Sequence, residues 1–325
     1  MNRRIQKGIL AFLGMLILIL DSKTALTGAS GAIELCFKTV IPSLFPFFVL
    51  SILLTNSLSG SSTKLLRPIA KAFRIPSGAS ILPVCSILGG YPVGAQSIGR
   101  LYQAKVLSKK DAEILLAYCN NAGPAFIFGM VSCLFPQRWA PWMLWIIHIL
   151  SAYFVSRWFH YSENAEKAAL VKEITISDAV SASIKTMSQV CGWIIIFRII
   201  IVFLSRWILW IFPTPLQILI AGFIELTNGC VELMAIEDIK IRFIICSAML
   251  AFGGICVAMQ TGSVTQGLKL TYYFLGKTLQ TLICVSLSWA FIYQQWLLLL
   301  LLIPLFAAVP NMMQKKSSFP KPVGV

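Results

Sequence analysis

The chain has 325 residues, of which 58% are hydrophobic and only 12% charged, and its mean hydropathy is +0.81. A soluble domain carries about 25% charged residues, so the composition excludes an ordinary soluble protein and describes a polytopic membrane protein. The formal net charge of +15, from 27 Lys and Arg against 12 Asp and Glu, fits the Lys/Arg excess of cytoplasmic loops in such proteins. No basic patch interleaved with exposed aromatics points to nucleic acid.

A membrane-crossing helix needs roughly 20 apolar residues, with 17 to 25 usual. The first predicted span is 5–21, where Arg3, Arg4 and Lys7 precede the apolar run Ile9 to Leu20. No A-x-A cleavage site follows, so it reads as an uncleaved span rather than a signal peptide. Residues 24–38, with Glu34 and Lys38, read as an amphipathic helix lying at the interface. Residues 40–57 form the next span, with Pro42 and Pro46 near its start, and 58–78 form a polar loop with Lys64, Arg67, Lys71 and Arg74.

The apolar run 79–98 is interrupted by Gly89-Gly90-Tyr91-Pro92. Glycine costs about 1 kcal/mol and proline about 3 kcal/mol in a helix interior. At bilayer depth such a break is tolerated only where the freed backbone groups are buried in protein or line a wet cavity. Basic residues flank this run on both sides (Arg74 before it; Arg100, Lys105, Lys109 and Lys110 after it). It therefore reads as a re-entrant hairpin that enters and leaves on one face. Residues 112–134, containing Asn120-Asn121, and 139–157 read as spans, and the loop Arg157 to Lys185 joins two halves.

The second half repeats the order. An interfacial helix at 176–186 is followed by a span at 187–207 with Arg198 inside, and by a turn at 208–215. A second interrupted segment covers 216–236, broken at Thr227-Asn228-Gly229. Spans follow at 241–261, with Gly253-Gly254 and Gln260, and at 278–294. A short apolar stretch at 296–309 precedes Lys315 and Lys316. With the N-terminus inside, 20 of the 27 Lys and Arg fall inside, 6 outside, and Arg198 lies within a span, in accord with the positive-inside rule.

The fold class read from this pattern is an all-α polytopic membrane protein with two inverted repeats, each carrying a re-entrant broken-helix hairpin, and about eight transmembrane spans. Its parts are an N-terminal span (1–23), a first repeat (24–157), a cytoplasmic linker (158–175), a second repeat (176–294), and a C-terminal short span with a basic tail (295–325). Paired interrupted segments at matching places in two halves mark the binding site of secondary transporters.

The candidate solute-binding residues are therefore Gly89, Gly90, Tyr91 and Pro92 at the first break, Thr227, Asn228 and Gly229 at the second, Asn120 and Asn121, and Arg198. A helix restarting after a break presents free N–H groups and a positive dipole end to a polar or anionic ligand; a tight turn needed only for packing is the plainer account. Glu225 and Glu232 flank the second break and are candidates for a coupling proton or Na+. Glutamates of a shallow hairpin resting at the interface are the alternative. Arg198 can hold an anionic solute, pair with Glu225 or Glu232, or snorkel to the surface. The asparagines can bond a solute or a neighbouring helix.

The nine cysteines form no CxxC pair and read as buried thiols. His148 and His160 have no ligand spacing between them, so no metal or cofactor is expected. No Walker loop, HExxH or GxSxG occurs, and Ser86 and Ser97 lack a His base, so no enzyme is expected.

The stretches TALTGASGAIELCFKTVIPSLFPFFVLSILL (24–54), SILGGYPVGAQ (86–96) and YCNNAGPAFIFG (118–129) resemble the nucleoside-recognition or Gate domain family, over roughly 24–294, and within it the sporulation branch. The resemblance implies a multi-pass protein of the bacterial inner membrane, with a cytoplasmic N-terminus, that moves a small organic solute. Nucleosides are the family label, and dipicolinate, a small dianion, is associated with the sporulation branch. The expected partners are that solute, the lipid bilayer and a coupling proton or Na+; homo-oligomers are allowed. A non-transporting membrane scaffold needed in spore assembly is the alternative.

Overall fold

The computed structural model describes residues 3–58, 65–159, 174–302, 304 and 306. The inside of the predicted linker (160–173), the loop 59–64 with Lys64, and the tail from 307, with Lys315 and Lys316, lie outside the described residues. All regular structure among the described residues is helical. Among the described residues four helical segments have the length and apolar composition to cross a membrane: Ser22–Leu58, Ile176–Trp207, Ile239–Val264 (interrupted at Gly253-Gly254) and Thr271–Ile292. Pro124–Leu134 and Thr214–Ile224 are shorter apolar helices. The molecule is an all-helical membrane protein, and several of the predicted spans are divided by its fold.

The helices are α1 (Arg3–Leu20), α2 (Ser22–Leu58), α3 (Arg67–Ala72), α4 (82–89), α5 (Val93–Gln103), α6 (Lys109–Leu115), α7 (Pro124–Leu134), α8 (Ala140–Trp158) and α9 (Ile176–Trp207). They continue with α10 (Thr214–Ile224), α11 (Leu226–Glu232), α12 (Ile239–Phe252), α13 (Gly254–Val264) and α14 (Thr271–Ile292). The apolar stretch from 296 is helical over 296–302.

Two predicted boundaries disappear. The interfacial helix 24–38 and the span 40–57 are one helix, α2, carried past the boundary by a π-turn at Cys36–Val40 in which Ile41 N donates to Cys36 O. The interfacial helix 176–186 and the span 187–207 are likewise one helix, α9, opened by a reciprocal cap between Thr175 and Asp178. One face of 24–38 is buried in the protein. Thr24, Gly28, Ala32 and Cys36 recur every four residues and are buried. This stripe of small side chains packs on α9, as small residues do between membrane helices. A Cβ on Gly28 would lie 3.2 Å from Ile199 Cα. The two long helices run antiparallel. Asp21 pairs with Arg206 at 3.3 Å at one end, and Asn56 accepts from Ile174 N at 3.2 Å at the other.

The molecule thus has two ends, the first carrying Asn56 and Ile174 and the second Asp21 and Arg206. At the first, Arg74 donates to Arg157 O at 3.0 Å, Lys269 N donates to Glu113 at 2.9 Å, and Phe159 packs on Tyr272. At the second, Arg242 donates to Leu134 O at 2.7 Å and to Ile236 O, and Trp139 packs on Phe291. The hairpin of α4 and α5 has both arms at the first end, where Gly78 abuts Val106. The hairpin of α10 and α11 lies toward the second, where Leu233 to Ile236 lead into α12. Helices α6 and α7 run from the first end to the second with an unwound stretch at 119–123 between them. Helices α12 and α13 run the opposite way and are separated at Gly253 and Gly254, with φ of +78° and +82°. The segment predicted as a span at 112–134 is thus two short helices, because Gly123-Pro124 starts a new one.

Candidate functional site where the helix breaks meet

The breaks converge. Gly90 has φ +76° and ψ −172°, a conformation open in practice only to glycine. It crosses Gly123 so closely that a Cβ on Gly90 would lie 2.7 Å from Gly123 N. Both glycines and Tyr91 line a cavity together with Glu225, Thr227 and Gln260; the π-turn of α2 and the middle of α9 close it. The cavity measures about 40 Å³, which leaves room for about three waters at most.

Second-half chemistry is built on Glu225, which is buried. Its carboxylate accepts from Thr227 N at 3.0 Å and Asn228 N at 2.8 Å. It thereby caps α11 and satisfies N–H groups that a restarting helix leaves free. Arg198 reaches α11 from α9. Its Nη1 donates to Asn228 Oδ1 at 2.6 Å and lies 3.7 Å from Glu232 Oε1. Of the two predicted partners of Arg198, Glu232 is the one in ion-pair contact. Asn228 Nδ2 is buried without a hydrogen-bond partner. Gly229 is a packing position: a Cβ there would collide with Gly222 and Met249.

The first-half polar residues sit behind the cavity in a network of side-chain and backbone hydrogen bonds. Asn120 Nδ2 donates to Thr261 Oγ1 at 2.9 Å, and its Oδ1 accepts from Ala95 N at 3.3 Å in the first turn of α5. Asn121 Nδ2 donates to Ser86 Oγ at 2.9 Å and Tyr118 O at 2.7 Å, while Oδ1 accepts from Gln280 at 2.9 Å and Lys277 at 3.4 Å. Two donors and two acceptor positions exhaust an amide, so Asn121 is saturated in this conformation. Gly89 packs on Val93 and Ser51, and Pro92 stands at the N-cap of α5. The structure therefore brings Gly90, Tyr91, Glu225 and Thr227 to one cavity. Asn120 and Asn121 lie on its packed side, and Arg198, Asn228 and Glu232 form a separate cluster.

Lys277 was missed by the sequence reading, which counted it among inside loop charges because the last full span was drawn from 278. It is the seventh residue of α14 and only 1% exposed. Its ammonium donates to Gln280 Oε1 at 2.8 Å and Asn121 Oδ1 at 3.4 Å. Among the described residues no carboxylate is within ion-pair distance of it. His148 joins the network through Nε2, which accepts from Ala122 N at 2.9 Å, and its Nδ1 has no partner. The signal was present as periodicity. Tyr273, Lys277, Gln280 and Cys284 follow helical spacing and are all buried.

No family model matches the sequence, and no solved structure matches it. The chain is similar to the sporulation integral membrane protein YlbJ of Bacillus subtilis (strain 168), at 26% identity over 322 residues, covering 81% of this chain and 77% of YlbJ.

Proposed function

We propose that the chain is a secondary transporter or permease of the bacterial membrane for a small polar or anionic organic solute, nucleoside-like or dipicolinate-like, acting in sporulation. The observation that carries this reading is the meeting of helix breaks from both halves at one cavity. The halves 24–157 and 176–294 are taken as inverted repeats. In support, the first hairpin lies toward one end of the molecule and the second toward the other. A substrate site near the midplane between such halves is the arrangement of many secondary transporters.

In this conformation the cavity has room for a few waters but not for a nucleoside or a dicarboxylate, so transport proceeds through a state in which the breaks have separated. Gly90, Tyr91 and Thr227 then face the solute, and Asn120 and Asn121 exchange their helix-to-helix bonds for it. Glu225 and Glu232 carry the coupling proton or Na+ at the second hairpin. The N-terminus is cytoplasmic, with the first end, rich in Lys and Arg, on the same side.

The test is uptake of dipicolinate and of a nucleoside mixture into proteoliposomes, with and without a pH gradient, for the wild type, Glu225→Gln and Asn121→Ala. Saturable uptake lost in a folded variant supports the reading. Absence of flux above empty vesicles, from folded protein, supports the alternative, a non-transporting scaffold for spore assembly. The small cavity and the saturated Asn121 amide are the observations on that side.

A further inference from the structure

A second recess, of about 370 Å³, lies among α5, α9 and α13 toward the first end of the molecule. Its volume is in the range that accepts a small organic ligand. Gln96, Arg100, Lys185, Thr186, Gln189 and Ser263 are among its lining residues, and among the described residues no Asp or Glu lines it. Among the described residues neither Arg100 nor Lys185 is in an ion pair. Two cations, several amides and no carboxylate make a surface with donors in excess and a positive potential. Such a cleft concentrates anions, and a guanidinium offers a planar fork for a carboxylate.

The recess and the central cavity share their helices. On α9, Thr186 lines the recess and Val190, one turn on, lines the cavity. On α13, Ser263 lines the recess and Gln260 lines the cavity. Between them stands a crossbar: Gln96 Nε2 donates to Thr186 Oγ1 at 2.7 Å, and both residues are buried.

We infer that this recess is a binding site for a small organic anion bearing one or more carboxylates, held by Arg100 and Lys185, and that the Gln96–Thr186 hydrogen bond closes the way from it to the central cavity. The crossbar's role rests on the transport reading; the anion site does not.

The two are separated by measuring binding without flux. Purified full-length protein in lipid nanodiscs is titrated with dipicolinate, benzoate and uridine by calorimetry at low and high salt. Wild type binds dipicolinate saturably and more tightly than benzoate, and added salt weakens both. Arg100→Gln and Lys185→Gln each lower dipicolinate affinity roughly tenfold, the scale of a charge-assisted hydrogen bond. Arg100→Lys, which keeps the charge, loses less, and any uridine affinity is unchanged. Unaltered anion affinity in the Gln variants overturns the site, as does folded wild type that binds neither anion at millimolar concentration. Thr186→Val, which removes the acceptor, speeds uptake across the vesicle membrane. Intact binding with no uptake in any variant leaves the anion site standing and removes the crossbar along with the transporter reading.

Discussion

The two re-entrant hairpins solve the same problem with different chemistry. Each must restart a helix away from water, and each restart leaves backbone N–H groups without intrahelical partners. The second hairpin seals itself. Glu225 sits in ordinary extended backbone, φ −143° and ψ 112°, and its own side chain caps the helix that follows. The first hairpin cannot do this, because its turn uses Gly90 and its N-cap is Pro92, with no side-chain cap. Its help comes from another element, through Asn120 Oδ1 to Ala95 N. The neighbouring Asn121 is tied in turn to Lys277 and Gln280 on α14. The second break is a local structure; the first is held in place from across the molecule.

That contrast is most exposed at the turn itself. Gly90→Ala places a Cβ against Gly123 and forces an alanine into a conformation reserved for glycine. A loss of about 3–5 kcal/mol is expected, read as loss of monodisperse folded protein on size-exclusion chromatography. An equally stable Gly90→Ala protein would mean that the crossing with Gly123 is not tight. Asn121→Ala removes four hydrogen bonds at once and is expected to cost about 2–4 kcal/mol, measured by reversible denaturation in mixed micelles.

Glu225→Ala comes next, at about 1–3 kcal/mol, because two buried N–H groups lose their acceptor. Glu225→Gln keeps one acceptor oxygen and loses less. The comparison is sharpened by the pair Asn120→Ala and Glu225→Ala. If the first break is capped from across the molecule and the second by itself, the two losses add to within about 0.5 kcal/mol. A larger coupling energy would show that the hairpins are one mechanical unit.

The same contrast explains what could be read from the amino-acid sequence. Gly89-Gly90-Tyr91-Pro92 announces its break because glycine and proline act locally, through backbone sterics and a missing donor. The region of the second break was legible for the same reason, although the predicted site of interruption, Thr227-Asn228-Gly229, lies inside α11 and the break is at Glu225. A carboxylate that caps a helix looks in sequence like any intramembrane acid. The long helices α2 and α9 were divided because an amphipathic pattern does not say what its polar or small face touches. In α2 the face of Thr24, Gly28, Ala32 and Cys36 touches a partner helix. Lys277 falls in a loop when the span is drawn from 278. Its burial comes from Asn121 and Gln280, and Asn121 lies more than 150 residues away.

Lys277 also gives the smallest expected effect. An ammonium removed from water is costly to bury without a counter-ion, and here its bonds go to two neutral amide oxygens. Lys277→Met keeps the length and apolar stem while removing the charge and its desolvation cost. It also gives up two hydrogen bonds and leaves Gln280 Oε1 short of a donor. The gain and the loss are of similar size, so the net change is expected within about 1 kcal/mol. A loss above about 3 kcal/mol would make Lys277 a clamp that holds the first break to α14. A neutral result would mean that folding does not require the charge. Lys277 would then belong with the groups to be tested in uptake beside Glu225, since an intramembrane cation that stability does not need is a candidate for function.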